Sequence, residues 1–374
     1  MRPNRSAPTL TLRALNRATL ARQLLLERER RDVAETLEHL VGMQAQLPNA
    51  PYVALWSRLE GFRPADLSQL VADRRALRML LMRGTIHLVT AADALVLRPA
   101  VQPALERDVY GNSTFGRHRL EGLDMEAVLA AGRELVADGP LTNVQIRDAL
   151  ARRWPDRDPA ALGYAVRGLL PMVHVTPRGI WLKTGPIALT TIEAWVGRSV
   201  DLVADLDTVV MRYLAAYGPS SVADAQSWSR LTGLREVFDR LRPGLATFQD
   251  ERGRELVDLP NAPRPDPETP APPRFLPEYD NVLLAHADRS RFVDDEVRKR
   301  IQGEQRAVGS ILLDGVAGGT WTTAESDGVR TLTIRALEPM GDDDRASLAD
   351  EATRLLAFLA PDAAEHHVTF GRPA

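Results

Sequence analysis

The chain has no cysteine among its 374 residues and no apolar run long enough to span a bilayer. Without cysteine, disulfides, thiolate nucleophiles and thiolate zinc sites are excluded. The N-terminus, Met1-Arg2-Pro3-Asn4-Arg5-Ser6, is polar, and no uninterrupted apolar core follows it, so we see no signal peptide. The sequence therefore predicts a cytoplasmic protein that is not bound to a membrane.

Lysine is almost absent as well. Of the 47 basic residues, only Lys183 and Lys299 are lysines, and the others are arginines. Arginine binds phosphate with two hydrogen bonds and stacks on bases, but a GC-rich codon bias also favours it, and we attribute most of the excess to that bias. The net charge of −3 argues only weakly against a nucleic-acid partner, because phosphate contacts are local.

The N-terminal third has apolar residues at helical spacing, followed by two β-prone runs. A winged helix has this order of elements, in which helices are followed by a hairpin. The predicted elements are helices within 11–41, over 51–59 and from Pro64, a hairpin of 77–83 and 86–89 about Gly84-Thr85, and a further helix that a capping box at Thr90 to Asp93 begins.

An internal repeat extends this interpretation. Residues 135–145 and 214–224 each contain a helix, a Gly-Pro pair and a Ser or Thr cap with Gln or Asp three residues later. In both copies the glycine, Gly139 or Gly218, can end the helix. Helix–Gly-Pro–helix segments also occur in many all-α proteins. Strands predicted at 172–176 and 180–183 add a wing after the first copy, which favours tandem winged helices.

Seven prolines between Pro260 and Pro273 predict a linker or an extended surface strap. Strand-like runs follow, with turns predicted at Gly318-Gly319 and Asp327-Gly328, then a helix and a closing strand at 368–370. We therefore predict an α+β fold in which tandem winged helices surround a DNA channel and a β-rich domain follows. The predicted parts are a first winged helix with its hairpin (1–122), a second (123–200), a third (201–259), a Pro-rich linker (260–274) and a β-rich C-terminal domain (275–374).

The most informative segment is Gln44-Ala45-Gln46, two amides where an apolar helix is predicted to end and a Pro-containing turn to begin. Glutamine cannot accept a proton at neutral pH, but its carbonyl can hold a water and its amide can donate a hydrogen bond. A catalytic pair of this kind suits a substrate that is already primed to break. An isolated Gln-x-Gln at a helix end is more often solvated or capping, so the interpretation depends on its context.

That context resembles a known family. Together with Gln44-Ala45-Gln46, the segments 51–59, 83–88, 276–281 and 286–289 resemble the AlkZ-like DNA glycosylases of the YcaQ/AlkZ winged-helix superfamily, from about residue 10 to the C-terminus. The resemblance implies three winged helices around a DNA channel and removal of cationic alkylpurines, including bulky adducts and crosslinks made by antibiotics of the azinomycin kind. Several family members are self-resistance enzymes. The YcaQ-like branch typically has Asp at the second motif position, so Gln46 favours the AlkZ-like branch.

The resemblance implies that Gln44 and Gln46 are the catalytic residues of an alkylpurine DNA glycosylase. Its expected partner is double-stranded DNA that carries N7- or N3-alkylated purines, with no cofactor and no metal, in a monomer associated with the nucleoid. An alkylated purine leaves as a neutral base, so hydrolysis of its N-glycosidic bond needs no general acid. The residues expected to contact DNA or the lesion are Asn49, Arg83, Thr85, His87 and Arg178.

Some alternatives stay open. His87 shares a strand face with Thr85 and is either a DNA contact or a hydrogen-bonded structural histidine. His286 and Asp288 match no strong zinc or iron spacing, which favours hydrogen bonding or contact with the DNA backbone. The alternative function is a non-catalytic winged-helix transcription regulator. In an enzyme both glutamines should face the DNA channel, whereas in a regulator they should lie on the outer surface or cap a helix.

Overall fold

The computed structural model of the chain describes residues 7–200, 204–302 and 308–371, with only the backbone at 300–302. Residues 1–6, which bear on the signal-peptide prediction, lie outside these ranges, as does the predicted boundary at residue 201. The predicted α+β class is confirmed: helices and three separate sheets alternate along the described chain. No helix among the described residues is long and apolar enough to cross a bilayer.

The first part of the chain contains the predicted helices and hairpin. The helices predicted within 11–41 are two, because the backbone leaves the helical region at Leu24 (φ 57°) and Asp32 caps a new helix. The elements are β1 (Thr9–Leu10), α1 (Leu12–Arg22), α2 (Val33–His39), β2 (Met43–Gln44), α3 (Ala50–Arg58), α4 (Pro64–Ala72), β3 (Ala76–Leu80), β4 (Ile86–Thr90), α5 (Ala91–Tyr110) and α6 (Arg117–Leu120).

The second part repeats the order of helices and strands. Its elements are α7 (Met125–Ala137), β5 (Leu141–Thr142), α8 (Asn143–Arg153), α9 (Pro159–Leu169), β6 (Met172–His174), β7 (Ala188–Thr191) and α10 (Ile192–Val196). The second wing strand was predicted at 180–183, which is wrong, since β7 begins eight residues later at Ala188. The segment 180–183 packs on α3 instead, where the Trp181 and Tyr52 rings lie 4.8 Å apart and the Tyr52 hydroxyl donates to the Gly179 carbonyl at 2.8 Å.

The first two parts share one sheet of six strands in the order β2-β4-β3-β6-β7-β5. Strand β3 pairs with β6, so that Arg78 lies opposite His174 and Met79 opposite Val173. The first hairpin therefore does not project as a free wing: its strands are central in the sheet and almost entirely buried. Only its tip, a 3-10 turn at Met82–Gly84 followed by Thr85, reaches the surface.

The third part contains α11 (Leu206–Tyr217), α12 (Val222–Ser229), α13 (Leu234–Leu241), β8 (Ala246–Asp250) and β9 (Glu255–Asp258), and β1 adds a parallel strand to β8. Both capping boxes predicted in the repeat form, since the Thr142 hydroxyl accepts from the Gln145 N–H and the Ser221 hydroxyl from the Asp224 N–H. At Thr90 only half of the predicted box forms, because the Thr90 hydroxyl accepts from the Asp93 N–H but the Asp93 carboxylate pairs with Arg212. The glycines of the repeat do not act as left-handed helix ends. Gly218 ends α11 with an extended backbone (φ −66°).

The Pro-rich segment forms an extended strap on α1, where Arg17 Nε donates to the Thr269 carbonyl at 2.7 Å. The C-terminal part then contains β10 (Arg274–Leu276), α14 (Asp295–Gln302), β11 (Gly309–Leu313), β12 (Val316–Ser326), β13 (Val329–Ala336), α15 (Asp342–Leu359) and β14 (Glu365–Phe370). Strand β14 confirms the predicted closing strand and pairs parallel to β13.

One of the two C-terminal turns was misplaced. The Asp327-Gly328 turn is confirmed, with positive φ at both residues. The turn expected at Gly318-Gly319 is wrong, because both glycines lie inside β12 and the chain reverses at Asp314-Gly315, where φ is 43° and 80°. A register shift between Ile311 and Leu312, on the strand paired with this part of β12, lets the strand continue through the glycines.

Candidate active site

Gln44-Ala45-Gln46 lies at the edge of the six-stranded sheet rather than at a helix end. Gln44 is the last residue of β2 and pairs with His87 of β4. Ala45 is fully buried, and its N–H donates to the Ile86 carbonyl at 2.7 Å. Its carbonyl accepts from Arg78 Nη2, also at 2.7 Å. The motif backbone is therefore held from both sides, and the small middle residue fits the buried position.

The Gln44 amide has one fixed orientation. Its side chain is 8% exposed, and Oε1 accepts a hydrogen bond of 2.8 Å from Arg83 Nη2. Because a guanidinium donates only, the amide oxygen must be the end that faces Arg83. Within the described residues the two N–H groups of Gln44 have no partner, so this side chain presents donors and one remaining lone pair.

Arg83 is held by several neutral groups. Its backbone is left-handed (φ 59°), and its guanidinium also donates to Asn281 Oδ1 at 2.8 Å and to the Trp228 carbonyl at 3.3 Å. Burial lowers the pKa of Arg83 to about 10, so it stays charged at neutral pH. In the described part of the chain it has no carboxylate partner. The predicted DNA contact thus lies mostly inside the protein, bonded to a catalytic candidate.

His87 lies behind Arg83 and is fully buried. Its Nδ1 lies 3.1 Å from the Thr85 carbonyl, and its Nε2 lies 3.4 Å from Arg83 Nη2. Since the carbonyl only accepts and the guanidinium only donates, the ring proton must be on Nδ1. Burial and the charge of Arg83 lower the pKa of His87 to about 3. This neutral, enclosed ring fits the structural alternative, whereas half-buried Thr85 lies at the hairpin tip.

Gln46 differs from Gln44. It is exposed, and its Oε1 accepts only a long hydrogen bond of 3.4 Å from the Ile86 N–H. Neither glutamine side chain caps a helix. The next helix, α3, begins after Asn49, and no side-chain hydrogen bond caps its N-terminus. The pair thus combines one fixed amide with one that solvent reaches.

The C-terminal part contributes residues to the site, and the sequence did not predict this contribution. Asn281 spans two elements, accepting from Arg83 and donating through Nδ2 to the Gly42 carbonyl at 3.1 Å. The preceding Asp280 forms a buried bidentate ion pair with Arg58, with both N–O distances at 2.8 Å. The segment 276–281 is one of those that resemble the family, but the sequence did not predict its contact with Arg83, the residue that holds Gln44.

A small cavity adjoins Gln44. Its lining includes Gln44, Arg58, Tyr217, Asp280 and Asn281, and its volume is about 10 Å³. That is roughly the space one water needs, and far too little for a purine. The cavity can therefore hold a water next to the amide but cannot receive a flipped base.

The remaining predicted DNA contacts lie at two other places. Asn49 begins α3, and its Oδ1 has no hydrogen-bond partner in the described structure. Arg178 is half-buried in the connection between β6 and β7, without an ion pair to any described residue. It lies close enough to Arg78 that, after burial, its charge further lowers the pKa of Arg78, to about 10. Arg78, which sequence reasoning missed, thus holds the motif backbone and has Arg178 as a charged neighbour.

The side chains considered as metal ligands are engaged elsewhere. His286 Nε2 donates to the Tyr217 carbonyl at 3.0 Å, and Asp288 pairs with Arg254 and accepts from the Ser290 N–H. Among the residues that the structure describes, no three His, Asp or Glu side chains form a group able to hold a metal ion.

Comparisons with known proteins identify the fold and the family of the chain. The Streptomyces sahachiroi DNA glycosylase AlkZ is a solved structure of similar fold, with a TM-score of 0.74 at 18% identity over 97% of this chain and 100% of that chain. A search of curated proteins finds no match. The model of the family described as DNA glycosylase AlkZ-like matches residues 37–358. That match includes both glutamines and most of the chain, which therefore belongs to the AlkZ-like DNA glycosylases.

Proposed function

We propose that this DNA glycosylase hydrolyses the N-glycosidic bond of cationic N7- and N3-alkylpurines in duplex DNA, with Gln44 and Gln46 as the catalytic residues. The observation that carries the proposal is the locked Gln44 amide, bonded to Arg83 beside the exposed Gln46. Neither glutamine side chain is hydrogen-bonded to a carboxylate of the described residues, so the pair offers amide dipoles in place of general acid or base chemistry.

The chemistry suits such a pair. Glycoside hydrolysis commonly uses two carboxylates, one of which protonates the leaving group. Alkylation at N7 or N3 already places a positive charge on the purine, so the base leaves as a neutral molecule. The remaining tasks are to position a water and to orient the sugar on which positive charge develops. Well-placed polar groups contribute on the order of 10²–10³ in rate each.

The two glutamines have different roles in this proposal. The Gln46 carbonyl is nearly free and accepts a hydrogen bond from the attacking water. The Gln44 carbonyl is held by Arg83, so its N–H groups donate to an oxygen of the DNA backbone next to the lesion. Arg83 and His87 act by fixing Gln44, whereas Asn49, Thr85 and Arg178 contact the DNA.

The proposed substrates include bulky adducts and crosslinks of antibiotic origin. The water-sized cavity beside Gln44 supports this, because a site that does not enclose the base tolerates a large adduct on it. The enzyme would act as a monofunctional glycosylase, since Lys183 and Lys299 are its only lysines and neither is bonded to the glutamine pair. We further propose that it is a monomer of the cytoplasm that works at the nucleoid.

A base-release assay tests the proposal. Duplexes with a single N7-methylguanine, N3-methyladenine or bulky N7 adduct are incubated with excess enzyme, and the abasic product is quantified after alkaline cleavage. Release of at least one of these bases is expected, and no release from uracil or undamaged purines. Binding without release of any alkylated base would contradict the proposal and favour a regulatory DNA-binding role.

A further inference from the structure

Tyr279 combines two features that are unusual for a large aromatic residue. Its backbone is left-handed (φ 62°), and its side chain is 45% exposed. A bulky residue in this backbone region is an outlier that persists only where the surroundings enforce it. Within the described residues its ring meets no other ring or cation, and its hydroxyl has no hydrogen-bond partner.

The residues on both sides of Tyr279 enforce its left-handed backbone conformation. Asp280 is fixed by its bidentate pair with Arg58 and accepts from the Val282 N–H at 3.0 Å. Asn281 bridges Arg83 and Gly42, and Pro277 on the other side is buried. A short segment pinned at both ends thus turns one aromatic ring outward.

The segment that carries this ring lies beside Gln44. Asn281, two residues on, bonds the same guanidinium that holds Gln44, and Pro277 lines the same small cavity as Gln44. On the other flank, Leu47 follows Gln46 directly and is 39% exposed. Two segments beside the motif thus each carry one large exposed side chain, Tyr279 in the C-terminal part and Leu47 in the N-terminal part.

We propose that Tyr279 stacks on the base next to the lesion and unstacks the damaged nucleotide, with Leu47 bordering the opening. The inference rests on the proposed glycosylase function. The glycosidic bond of a stacked nucleotide is not open to a water held by Gln46, and the cavity beside Gln44 is too small to draw the base out. Apolar side chains that enter a base step open it, and an aromatic ring stacks on any base.

Three variants and one control test this. Tyr279→Phe keeps the ring, Tyr279→Ala removes it, and Tyr279→Gly removes it while easing the left-handed backbone. The control is Leu182→Gly, because Leu182 is also apolar, exposed (60%) and left-handed (φ 54°) but makes no hydrogen bond to the glutamine network. The readouts are single-turnover release of N7-methylguanine and the fluorescence of 2-aminopurine placed beside the lesion.

The wild type, Tyr279→Phe and Leu182→Gly should raise the fluorescence on binding and release the base at similar rates. Tyr279→Ala and Tyr279→Gly should lose the fluorescence rise and release the base roughly 5- to 100-fold more slowly, the range for one base–aromatic stack. Wild-type fluorescence and release in Tyr279→Gly would overturn the inference. A wild type that releases no base contradicts the proposed function instead, and the fluorescence comparison still decides the role of Tyr279.

Discussion

The Gln44 amide oxygen accepts a hydrogen bond of 2.8 Å from Arg83 Nη2, and this contact sets which end of the amide faces the ligand. Because Arg83 has no carboxylate partner in the described structure, its charge is balanced only by neutral dipoles. Such an arrangement is costly for stability and is expected where a function depends on it.

Replacing Arg83 should separate activity from stability. Arg83→Met removes the donor that orients Gln44. It also removes a buried charge without a counter-ion but leaves the Gln44 and Asn281 oxygens without this donor, so the two effects on stability oppose each other and the net change should be small. We expect single-turnover base release to fall by about 10²-fold. Thermal unfolding and release of N7-methylguanine measure the two effects. Wild-type activity in Arg83→Met would show that the orientation of Gln44 is unimportant.

Carboxylate substitutions distinguish the roles of the two glutamines. Gln44→Glu keeps an acceptor for Arg83 and forms an ion pair with it, but loses the N–H groups, so release should fall by at least about 10-fold. Gln46→Glu keeps an acceptor for the water and should retain activity. Single-turnover rates of both variants on the same duplex make the comparison. The opposite order would mean that Gln44 holds the water.

The neutral state of His87 predicts a loss of stability in acid. Its pKa in the folded protein is lowered to about 3 by burial, then by Arg83, whereas an unfolded histidine has a pKa of about 6.5. The unfolded chain therefore binds a proton first, and stability is lost as the pH falls below about 6.5. By pH 5 the loss is about 2 kcal/mol for this group.

His87→Gln, which keeps a donor and an acceptor but cannot titrate, tests this sign. Between pH 7 and pH 5 its free energy of unfolding, from urea titrations, should fall by about 2 kcal/mol less than that of the wild type. His118→Gln, the same substitution at an exposed position, is the control for effects of the substitution itself. Parallel pH profiles for wild type and His87→Gln would contradict the assignment.

Arg178 tests the DNA-facing surface. It is half-buried without an ion pair among the described residues, whereas Arg30 is exposed and paired with Glu60. Arg178→Ala should weaken binding to damaged and undamaged duplexes alike and reduce the slope of log K against log salt by about 0.9. Arg30→Ala should change neither. Fluorescence anisotropy over a salt series measures both, and an unchanged slope for Arg178→Ala would remove it from the phosphate contacts.

The sequence predicted those features that are set locally. The capping boxes at Thr142 and Ser221, the Asp327-Gly328 turn and the closing strand all depend on residues a few positions apart. The second wing strand was missed because contacts of Trp181 with a distant helix displace it.

In the site, too, local features were predicted from the sequence and contacts between distant residues were not. Its two glutamines were found from the motif, but their surroundings depend on the left-handed backbone of Arg83 and on Asn281, which lies 198 residues further along the chain. No periodicity or spacing carries that information, since it arises only when the C-terminal part packs against the first hairpin. For the same reason Arg78 was not recognised as the residue that holds the Ala45 carbonyl.

The most direct test of the account is single-turnover release of N7-methylguanine by the Gln44→Ala/Gln46→Ala double variant beside the wild type. Both side chains lie at the edge of the sheet, and Ala45 between them keeps its backbone contacts, so the variant should fold. We expect release to fall toward the uncatalysed rate while binding to the duplex persists. Release at the wild-type rate would contradict it.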